Sequence, residues 1–233
     1  MADRIFAILG TAVHTVLEQG APEDSIVEER LHMEIDGLKI SGAIDLQTPT
    51  PLGIILADYK TARASAITYN PEGKPEWETQ LNCYAALARS NGKAVAGLEV
   101  VAVLRDWMAA TAERAEGYPQ HPVVRVEIPL WSADRAMDYI QERVALHREY
   151  DPTCTDDEMW KRPGHWKGFN TTKAGTRRKR ASHLFTTESD AQLWTMDGEG
   201  RELERVDDIY TRCDKYCNVA KFCKQNYRRN NVS

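Results

Sequence analysis

Two short apolar runs in the first third of the sequence each end in an aspartate. Asp45 follows Ile44 in the first run, and Asp58 follows the apolar segment 54–57 in the second. Two buried carboxylates that lie close together are unfavourable without a partner. Because divalent cations such as Mg²⁺ and Mn²⁺ bind carboxylate oxygens, such an ion is the candidate partner.

The residue two positions after the second aspartate is a lysine. Residues i and i+2 of a strand share a face, so Asp58 and Lys60 are predicted to point to one side of the sheet, with Tyr59 on the other. The ammonium group of Lys60 would then lie beside the metal-held carboxylates, where it could orient or deprotonate a water molecule. The other acid–x–lysine match, Glu72 to Lys74, lies in a loop rich in Pro and Gly and is set aside.

Two helical segments carry polar pairs with a spacing of four residues. His14 and Glu18 form one pair, and Gln80 and Tyr84 form the other. Residues i and i+4 lie on the same face of a helix, so each pair can act together. On spacing alone, His14 would be interpreted as a satisfied core residue, and the Gln–Tyr pair as ordinary surface polarity.

The elements that position these residues follow from hydrophobic spacing and turn residues. Asp36-Gly37 is a type I′ turn signal, and Pro49 and Pro51 are predicted to break the chain before a third strand. The predicted elements are a helix at 4–19, strands at 26–35, 38–46 and 52–61, a helix at 76–90, strands at 97–107 and 122–131, and a helix at 132–149. This order predicts an α/β core with a mixed sheet.

The composition is that of a globular chain, with 42% apolar and 28% charged residues. Apolar density falls from residue 151, which predicts a core at 1–150 and an appended segment at 151–233. No run of eighteen apolar residues is present, and the N-terminus lacks the basic region of a signal peptide. These features predict neither a membrane span nor export, and therefore a cytoplasmic location.

The net charge of −5 does not indicate a polyanion partner, but basic residues are locally concentrated. The first group consists of Lys173, Arg177, Arg178, Lys179 and Arg180. The second group consists of Lys221, Lys224, Arg228 and Arg229. Two interpretations stay open: a solvated loop and tail, or a surface that contacts a phosphate backbone.

The five cysteines favour metal binding over a disulfide scaffold, because their number is odd and three are clustered. Cys213, Cys217 and Cys223 lie within eleven residues. Zinc and iron–sulfur clusters usually take four protein ligands, so a fourth is needed, and Cys154 is the candidate. Cys83 is interpreted as a small buried residue of the 76–90 helix. Free thiols are the alternative for the whole group.

The order G-x-x-x-H, I-D, D-x-K and Q-x-x-x-Y resembles the PD-(D/E)xK nuclease superfamily, and within it the RecB-like and CRISPR-associated exonucleases. The similarity covers roughly residues 5–105 and depends on Gly10, His14, Asp45, Asp58, Lys60, Gln80 and Tyr84. It implies a restriction-endonuclease-like αβββαβ core with the active site at a sheet edge.

The same resemblance implies a role for each motif residue. His14, Asp45, Asp58 and the backbone carbonyl of Tyr59 would ligate Mg²⁺ or Mn²⁺. Lys60 would position the attacking water. Gln80 and Tyr84 would hold the site and the DNA strand.

The C-terminal cysteines resemble those of CRISPR-associated and AddB-like nucleases, which hold a [4Fe–4S] cluster with one upstream and three downstream cysteines. This sequence departs from them in its first spacing, x3 instead of x2, and has no cysteine before His14. Cys154 instead resembles a cysteine of phage-type relatives, where C-T-x-x-E-x-W precedes a basic loop. A [4Fe–4S] cluster is therefore expected, with Zn²⁺ as the alternative.

Together these features predict a metal-dependent DNA exonuclease of RecB-like type, phage-encoded and acting in recombination or DNA processing. Its partner would be DNA, as a single strand or a duplex end, with recombination or replication proteins as candidate partners. The alternatives are an endonuclease on the same fold, or a catalytically silent metal-cluster protein that binds DNA. The intact Asp45, Asp58 and Lys60 argue against the silent protein.

Overall fold

The Asp36-Gly37 pair forms the tight turn that its composition predicts. The computed structural model describes three ranges of the chain, 5–149, 152–172 and 174–231. Both turn residues have positive φ, 48° and 77°, as a type I′ turn requires at its two central positions. The turn joins two antiparallel strands, which pair from Ile35 and Leu38 outward.

Up to Arg148 the chain forms one compact unit. Its helices are α1 (Ile5–Gln19), α2 (Ala64–Thr68), α3 (Pro75–Ser90), α4 (Ala109–Ala112) and α5 (Ala133–Arg148). Its strands are β1 (Ile26–Ile35), β2 (Leu38–Thr50), β3 (Gly53–Ala62), β4 (Val95–Leu104) and β5 (Val123–Ile128).

These five strands form a mixed sheet in the order β1-β2-β3-β4-β5. Strands β3 and β4 are parallel, and the other neighbouring pairs are antiparallel. The chain passes from β3 to β4 through α2 and α3, as a parallel connection requires. Helix α3 buries Trp77, Leu81 and Ala85 in the main core cluster. The predicted α/β core with a mixed sheet is thus confirmed.

Gly42 lets α3 approach β2 closely. A Cβ atom at this position would lie 2.7 Å from Cε1 of Tyr84 and 3.0 Å from Cδ1 of Leu87, both on α3. The absence of a side chain therefore makes room for the Tyr84 ring above the strand. This close approach explains a glycine in a strand interior, where it otherwise weakens pairing.

The prediction that Pro49 and Pro51 break the chain before the third strand is partly wrong. Strand β2 continues through Pro49, which pairs with Ile54, and ends at Thr50. Pairing between β1 and β2 extends only to Gln47. At Pro49, β2 therefore has β3 as its one neighbour, and an edge position tolerates a proline that lacks an N–H donor.

Helix α1 forms close to its predicted bounds of 4–19, but its apolar residues are not buried as the spacing predicts. None of its residues is fully buried, and Ile8 and Val16 are each 67% exposed. Leu17 packs against the small core cluster that contains Tyr59. The helix thus contacts the sheet along a narrow line and leaves much of its apolar face exposed.

From Glu149 onward the chain forms a second compact unit. Its elements are β6 (Lys161–Arg162), β7 (His165–Asn170), β8 (His183–Phe185), α6 (Glu188–Met196), β9 (Arg201–Val206), β10 (Ile209–Tyr210), α7 (Thr211–Lys215), a 3-10 turn (Ala220–Phe222) and α8 (Lys224–Asn231). Strands β8-β7-β9 form an antiparallel sheet, and β10 pairs with β6. The sequence analysis predicts no sheet here. That 151–233 is an appendage packed on a nuclease core stays a prediction.

Aromatic rings and a glycine organise the sheet of the second unit. The ring of Trp194 on α6 lies 5.7 Å from that of Phe185 and 5.1 Å from that of His183. A Cβ atom on Gly168 would lie 2.8 Å from Cζ3 of Trp194, so β7 needs a glycine beneath this ring.

Among the described residues of the whole chain, no helix has the length and apolar character to cross a membrane.

Candidate active site

The register of β2 and β3 places Asp45 and Asp58 opposite each other. The ladder between these strands ends at the pair of Leu46 and Ala57, and the next position along would pair Asp45 with Asp58. The strands separate here, and the two aspartates remain buried, 7% and 2% exposed. The separated end of the two strands therefore holds two buried carboxyl groups.

The backbone of Tyr59, which is outside the β2–β3 ladder, is bound by two side chains. Its N–H donates to Oδ2 of Asp45 at 2.8 Å, and its carbonyl lies 2.8 Å from Nε2 of His14. A carbonyl can only accept, so Nε2 is the donor of this hydrogen bond. Nδ1 lies 3.7 Å from Oδ2 of Asp45. His14, Asp45 and the Tyr59 carbonyl therefore converge at one point.

Gln80 on α3 connects the lysine, the second aspartate and a tyrosine. Nζ of Lys60 lies 2.6 Å from Oδ2 of Asp58 and donates to Oε1 of Gln80 at 3.0 Å. Nε2 of Gln80 lies 3.1 Å from Oδ1 of Asp58 and 2.9 Å from the Tyr84 hydroxyl, and donates to both. Because an amide both donates and accepts, Gln80 holds the ammonium group and the carboxylate at the same time.

Burial alters the acidity of both aspartates. The pKa of Asp45 is raised to about 6, mainly by burial and secondly by the charge of Asp58. Burial also raises the pKa of Asp58, against the opposing charge of Lys60. Ionisation of both groups is therefore less favourable in the metal-free fold than in the unfolded chain, and a bound cation would stabilise the ionised forms.

The residues present fit a divalent cation. Oδ2 of Asp58 is buried, and its partner within the described residues is the Lys60 ammonium, 2.6 Å away in an ion pair. A buried carboxylate oxygen that already faces a cation, next to a second buried carboxylate, is suited to a metal ligand. Oxygen ligands suit Mg²⁺, and a histidine ligand favours Mn²⁺. His14, Asp45, Asp58 and the Tyr59 carbonyl would hold the ion.

Glu28 on β1 is a third acidic residue at this site that the sequence analysis missed. Val27 pairs with Leu46 and Glu29 pairs with Ile44. Glu28, between them, therefore lies opposite Asp45. The ligand atoms of His14, Glu28 and Asp45 lie within 4.8 Å of one another. Glu28 has a φ of 51°, which non-glycine residues rarely adopt. In the sequence it precedes a second glutamate, Glu29, and nothing in the pattern distinguishes the two.

The raised pKa of Asp45 predicts that Mn²⁺ affinity increases as the pH rises from about 5 to 7, with release of a proton, because metal ligands must be ionised. The folded pKa of about 6 exceeds the ordinary value of 3.8, so ionisation of this group destabilises the metal-free fold. Its contribution to stability should therefore decrease as the pH rises through this range. Calorimetric Mn²⁺ titrations in buffers of different ionisation enthalpy would measure the affinity and the released proton, and thermal melts without metal would measure the stability. Equal Mn²⁺ affinity at pH 5 and 7 would contradict the prediction.

The structure brings the four predicted cluster ligands to one apolar cavity of the second unit. Cys154, Cys213, Cys217 and Cys223 line this cavity of about 250 Å³, and all four are free thiols. Burial raises the pKa of the Cys154 thiol, and Glu158 and Cys213 raise it further. Four thiols are the number that a zinc ion or a [4Fe–4S] cluster takes.

Gln225 fixes the backbone of Cys154 near the other three cysteines. Its Oε1 accepts from the Cys154 N–H at 2.9 Å, and its Nε2 donates to the Cys154 carbonyl at 2.9 Å. Gln225 is on α8, which begins directly after Cys223. The remaining cysteine, Cys83, is half-buried on α3 and packs against a separate core cluster in the first unit. Burial raises the pKa of its thiol.

The first basic group is less free than the sequence analysis predicts. Arg177 forms an ion pair with Glu204, and its guanidinium lies 3.5 Å from the centre of the Phe169 ring. The exposed side chains of this group that form no hydrogen bond or ion pair within the described residues are Arg178, Lys179 and Arg180. Lys173 lies outside the described residues. A role of this loop in DNA binding stays a prediction.

The sequence matches the family model of the PD-(D/E)XK nuclease superfamily over residues 7–224. This chain belongs to the PD-(D/E)XK nuclease superfamily. Its members are typically metal-dependent nucleases that use Mg²⁺ or Mn²⁺.

Among solved structures, the crystal structure of SSO0001 is similar to this chain, with 18% sequence identity and a TM-score of 0.41. The match covers 63% of this chain and 62% of that one. No curated protein matches the sequence significantly.

Proposed function

We propose that this protein is a metal-dependent DNA exonuclease of RecB-like type, which hydrolyses phosphodiester bonds. The observation that carries the proposal is the buried pair of Asp45 and Asp58 with the Lys60 ammonium 2.6 Å from the second carboxylate. Membership of the nuclease superfamily supports a hydrolase that uses Mg²⁺ or Mn²⁺. The RecB-like assignment is supported by the motif residues on α1 and α3.

Phosphodiester hydrolysis needs a nucleophile that is active near neutral pH and relief of charge on the phosphate. When bound, a divalent cation supplies both, because it lowers the pKa of coordinated water and neutralises the phosphate oxygens. The chain's own residues then provide orientation. Gln80 and Asp58 occupy two sides of the Lys60 ammonium group, so its third donor can orient the attacking water or a phosphate oxygen.

The choice between exonuclease and endonuclease is tested by the topology of the substrate. With Mn²⁺, the protein is expected to digest linear single-stranded DNA completely and to leave closed circular single-stranded DNA of the same sequence intact. A circle lacks the end that an exonuclease needs. Cleavage of the circle at a similar rate would identify the endonuclease instead.

A second part of the proposal is that a [4Fe–4S] cluster, with Zn²⁺ as the alternative, binds to Cys154, Cys213, Cys217 and Cys223. It is supported by the position of the four cysteines, which line one apolar cavity. A role in phage recombination or DNA processing in the cytoplasm, with recombination or replication proteins as partners, belongs to the same proposal. That role rests on the resemblance of the motifs alone.

His14→Ala is expected to raise the Mn²⁺ concentration needed for half-maximal cleavage by at least about tenfold, because changes at metal sites commonly have effects of this size. His32→Ala is the matched control, since His32 is an exposed histidine on β1 of the same unit. A Mn²⁺ titration of activity, together with a thermal melt, measures the effect. A lower melting temperature with an unchanged Mn²⁺ requirement would show that His14 is only a core residue.

A further inference from the structure

A basic cavity adjoins the candidate active site. It has a volume of about 470 Å³, and Lys60 forms part of its lining. The remaining wall comes from the end of β3, from α2 and the loop after it, from the start of α3, and from Arg105 after β4. The cavity therefore continues from the lysine that contacts Asp58 onto the surface of the first unit.

The charge of this cavity is opposite to that of the whole chain. Four of its eleven lining residues are cationic and none is acidic, although acidic residues outnumber basic ones by 35 to 30 in the sequence. The four cations are Lys60, Arg63, Lys74 and Arg105. A concave surface lined by cations concentrates positive potential and favours a phosphate backbone.

The arginines of this cavity remain available for phosphate. Arg63 and Arg105 are exposed, and within the described residues neither side chain forms an ion pair or a hydrogen bond. The guanidinium of Arg105 lies 4.1 Å from the centre of the Phe6 ring. Stacking uses the face of the guanidinium, whereas its N–H donors lie in the plane and remain free to bind phosphate oxygens.

The rim of the same cavity carries an exposed aromatic ring. Tyr69, directly after α2, is 81% exposed. Within the described residues its ring has no aromatic or cationic partner. An exposed tyrosine ring beside a cationic groove is a platform on which a nucleobase can stack. The bases of a duplex are already stacked on each other, so this platform suits an unpaired strand.

We propose that this cavity is the binding groove for a single strand of DNA that enters the active site, with Arg63 and Arg105 at its phosphates and Tyr69 stacked on a base. The proposal rests on the proposed nuclease function and names the form of its substrate. It assigns the main DNA contact to the residues beside Lys60, and not to the first basic group that the sequence indicates.

The test measures binding without cleavage. Anisotropy of a fluorescent single-stranded oligonucleotide is followed in EDTA with the full chain and with Arg63→Gln, Arg105→Gln, Tyr69→Ala and Tyr69→Phe. Lys39→Gln is the matched control. Lys39 is an exposed lysine on β2 of the same unit, and it lines a different cavity. Each variant is also melted to confirm that it is folded.

Each arginine variant is expected to weaken binding and to reduce the slope of log Kd against log salt by roughly 0.7, the value for one phosphate contact on a single strand. Tyr69→Ala is expected to weaken binding about tenfold with little change in slope, because a stacked base is lost and no charge is removed. Tyr69→Phe should bind like the unaltered chain. The duplex of the same sequence should bind more weakly and respond little to Tyr69→Ala.

Affinities of the folded arginine and tyrosine variants equal to that of Lys39→Gln would overturn the proposal. A loss of affinity on Tyr69→Ala that is equal for the single strand and the duplex would also overturn it. These results are distinct from failure of the nuclease assignment, which would appear as an unaltered protein that binds DNA and does not cleave it with Mn²⁺.

Discussion

Asp58→Asn is expected to reduce Mn²⁺-dependent DNA cleavage by more than about a hundredfold, because even residues that only support a metal ligand contribute roughly 10- to 100-fold. Asparagine has the same shape as aspartate but lacks the charge that holds the cation and pairs with Lys60. Burial raises the pKa of Asp58, so its ionisation is less favourable in the metal-free fold than in the unfolded chain. A neutral replacement should not lower the melting temperature of the metal-free protein. The loss of activity is therefore expected in a folded protein.

The control for this variant is Asp24→Asn, which neutralises an exposed aspartate of the same unit and should retain full activity. The measurement is the initial rate of release of an end label from linear DNA at saturating Mn²⁺, together with a thermal melt. If Asp58→Asn cleaves at a rate similar to that of Asp24→Asn, the carboxylate pair is not the catalytic centre.

Replacement of any one of Cys154, Cys213, Cys217 and Cys223 by serine is expected to remove the metal that we propose for this site and to destabilise the second unit. A structural metal bound by thiolates contributes on the order of 10 kcal/mol of apparent binding free energy, which becomes folding free energy when the unfolded chain lacks the site. In Cys154→Ser the backbone hydrogen bonds to Gln225 can persist. That variant therefore isolates the contribution of the thiolate.

The control is Cys83→Ser, which should leave the metal content unchanged because Cys83 packs in the first unit. Metal analysis and visible absorption of anaerobically purified protein measure the outcome. A brown protein with broad visible absorption indicates [4Fe–4S], and a colourless protein with stoichiometric zinc indicates Zn²⁺. A Cys154→Ser variant with full metal, when the other three variants have lost theirs, would place the fourth ligand elsewhere.

The first unit could be predicted largely from local patterns, because each of its elements has a strong one. The Asp36-Gly37 turn fixes the register of β1 and β2. Asp45 and Asp58 lie at equal distances from the connection between β2 and β3, so antiparallel pairing of these strands brings the two residues together. The spacing of Gln80 and Tyr84 on α3 then places Gln80 beside Asp58 of β3 and Tyr84 above Gly42 of β2.

Other features arise from long-range packing that local patterns do not contain. Glu28 lies at the site because β1 pairs with β2 around Asp45, and its unusual backbone conformation is not visible in its sequence neighbours. The sheet of the second unit consists of short strands, with Gly168 set beneath Trp194, so it has little alternating pattern. Most of the lining of the cavity that contains Arg63 lies within residues 60–77, but its cations are separate in the sequence and the fold adds Arg105 from directly after β4.

The central claim is that the carboxylate pair at the separated end of β2 and β3 is a metal-dependent centre for phosphodiester hydrolysis. Its most direct test is incubation of the purified protein with an end-labelled single-stranded oligonucleotide while Mn²⁺ is titrated against EDTA. We expect shortened products that appear only when Mn²⁺ exceeds the chelator and that disappear when EDTA is added in excess. Intact oligonucleotide at saturating Mn²⁺, or equal cleavage in excess EDTA, would contradict this account.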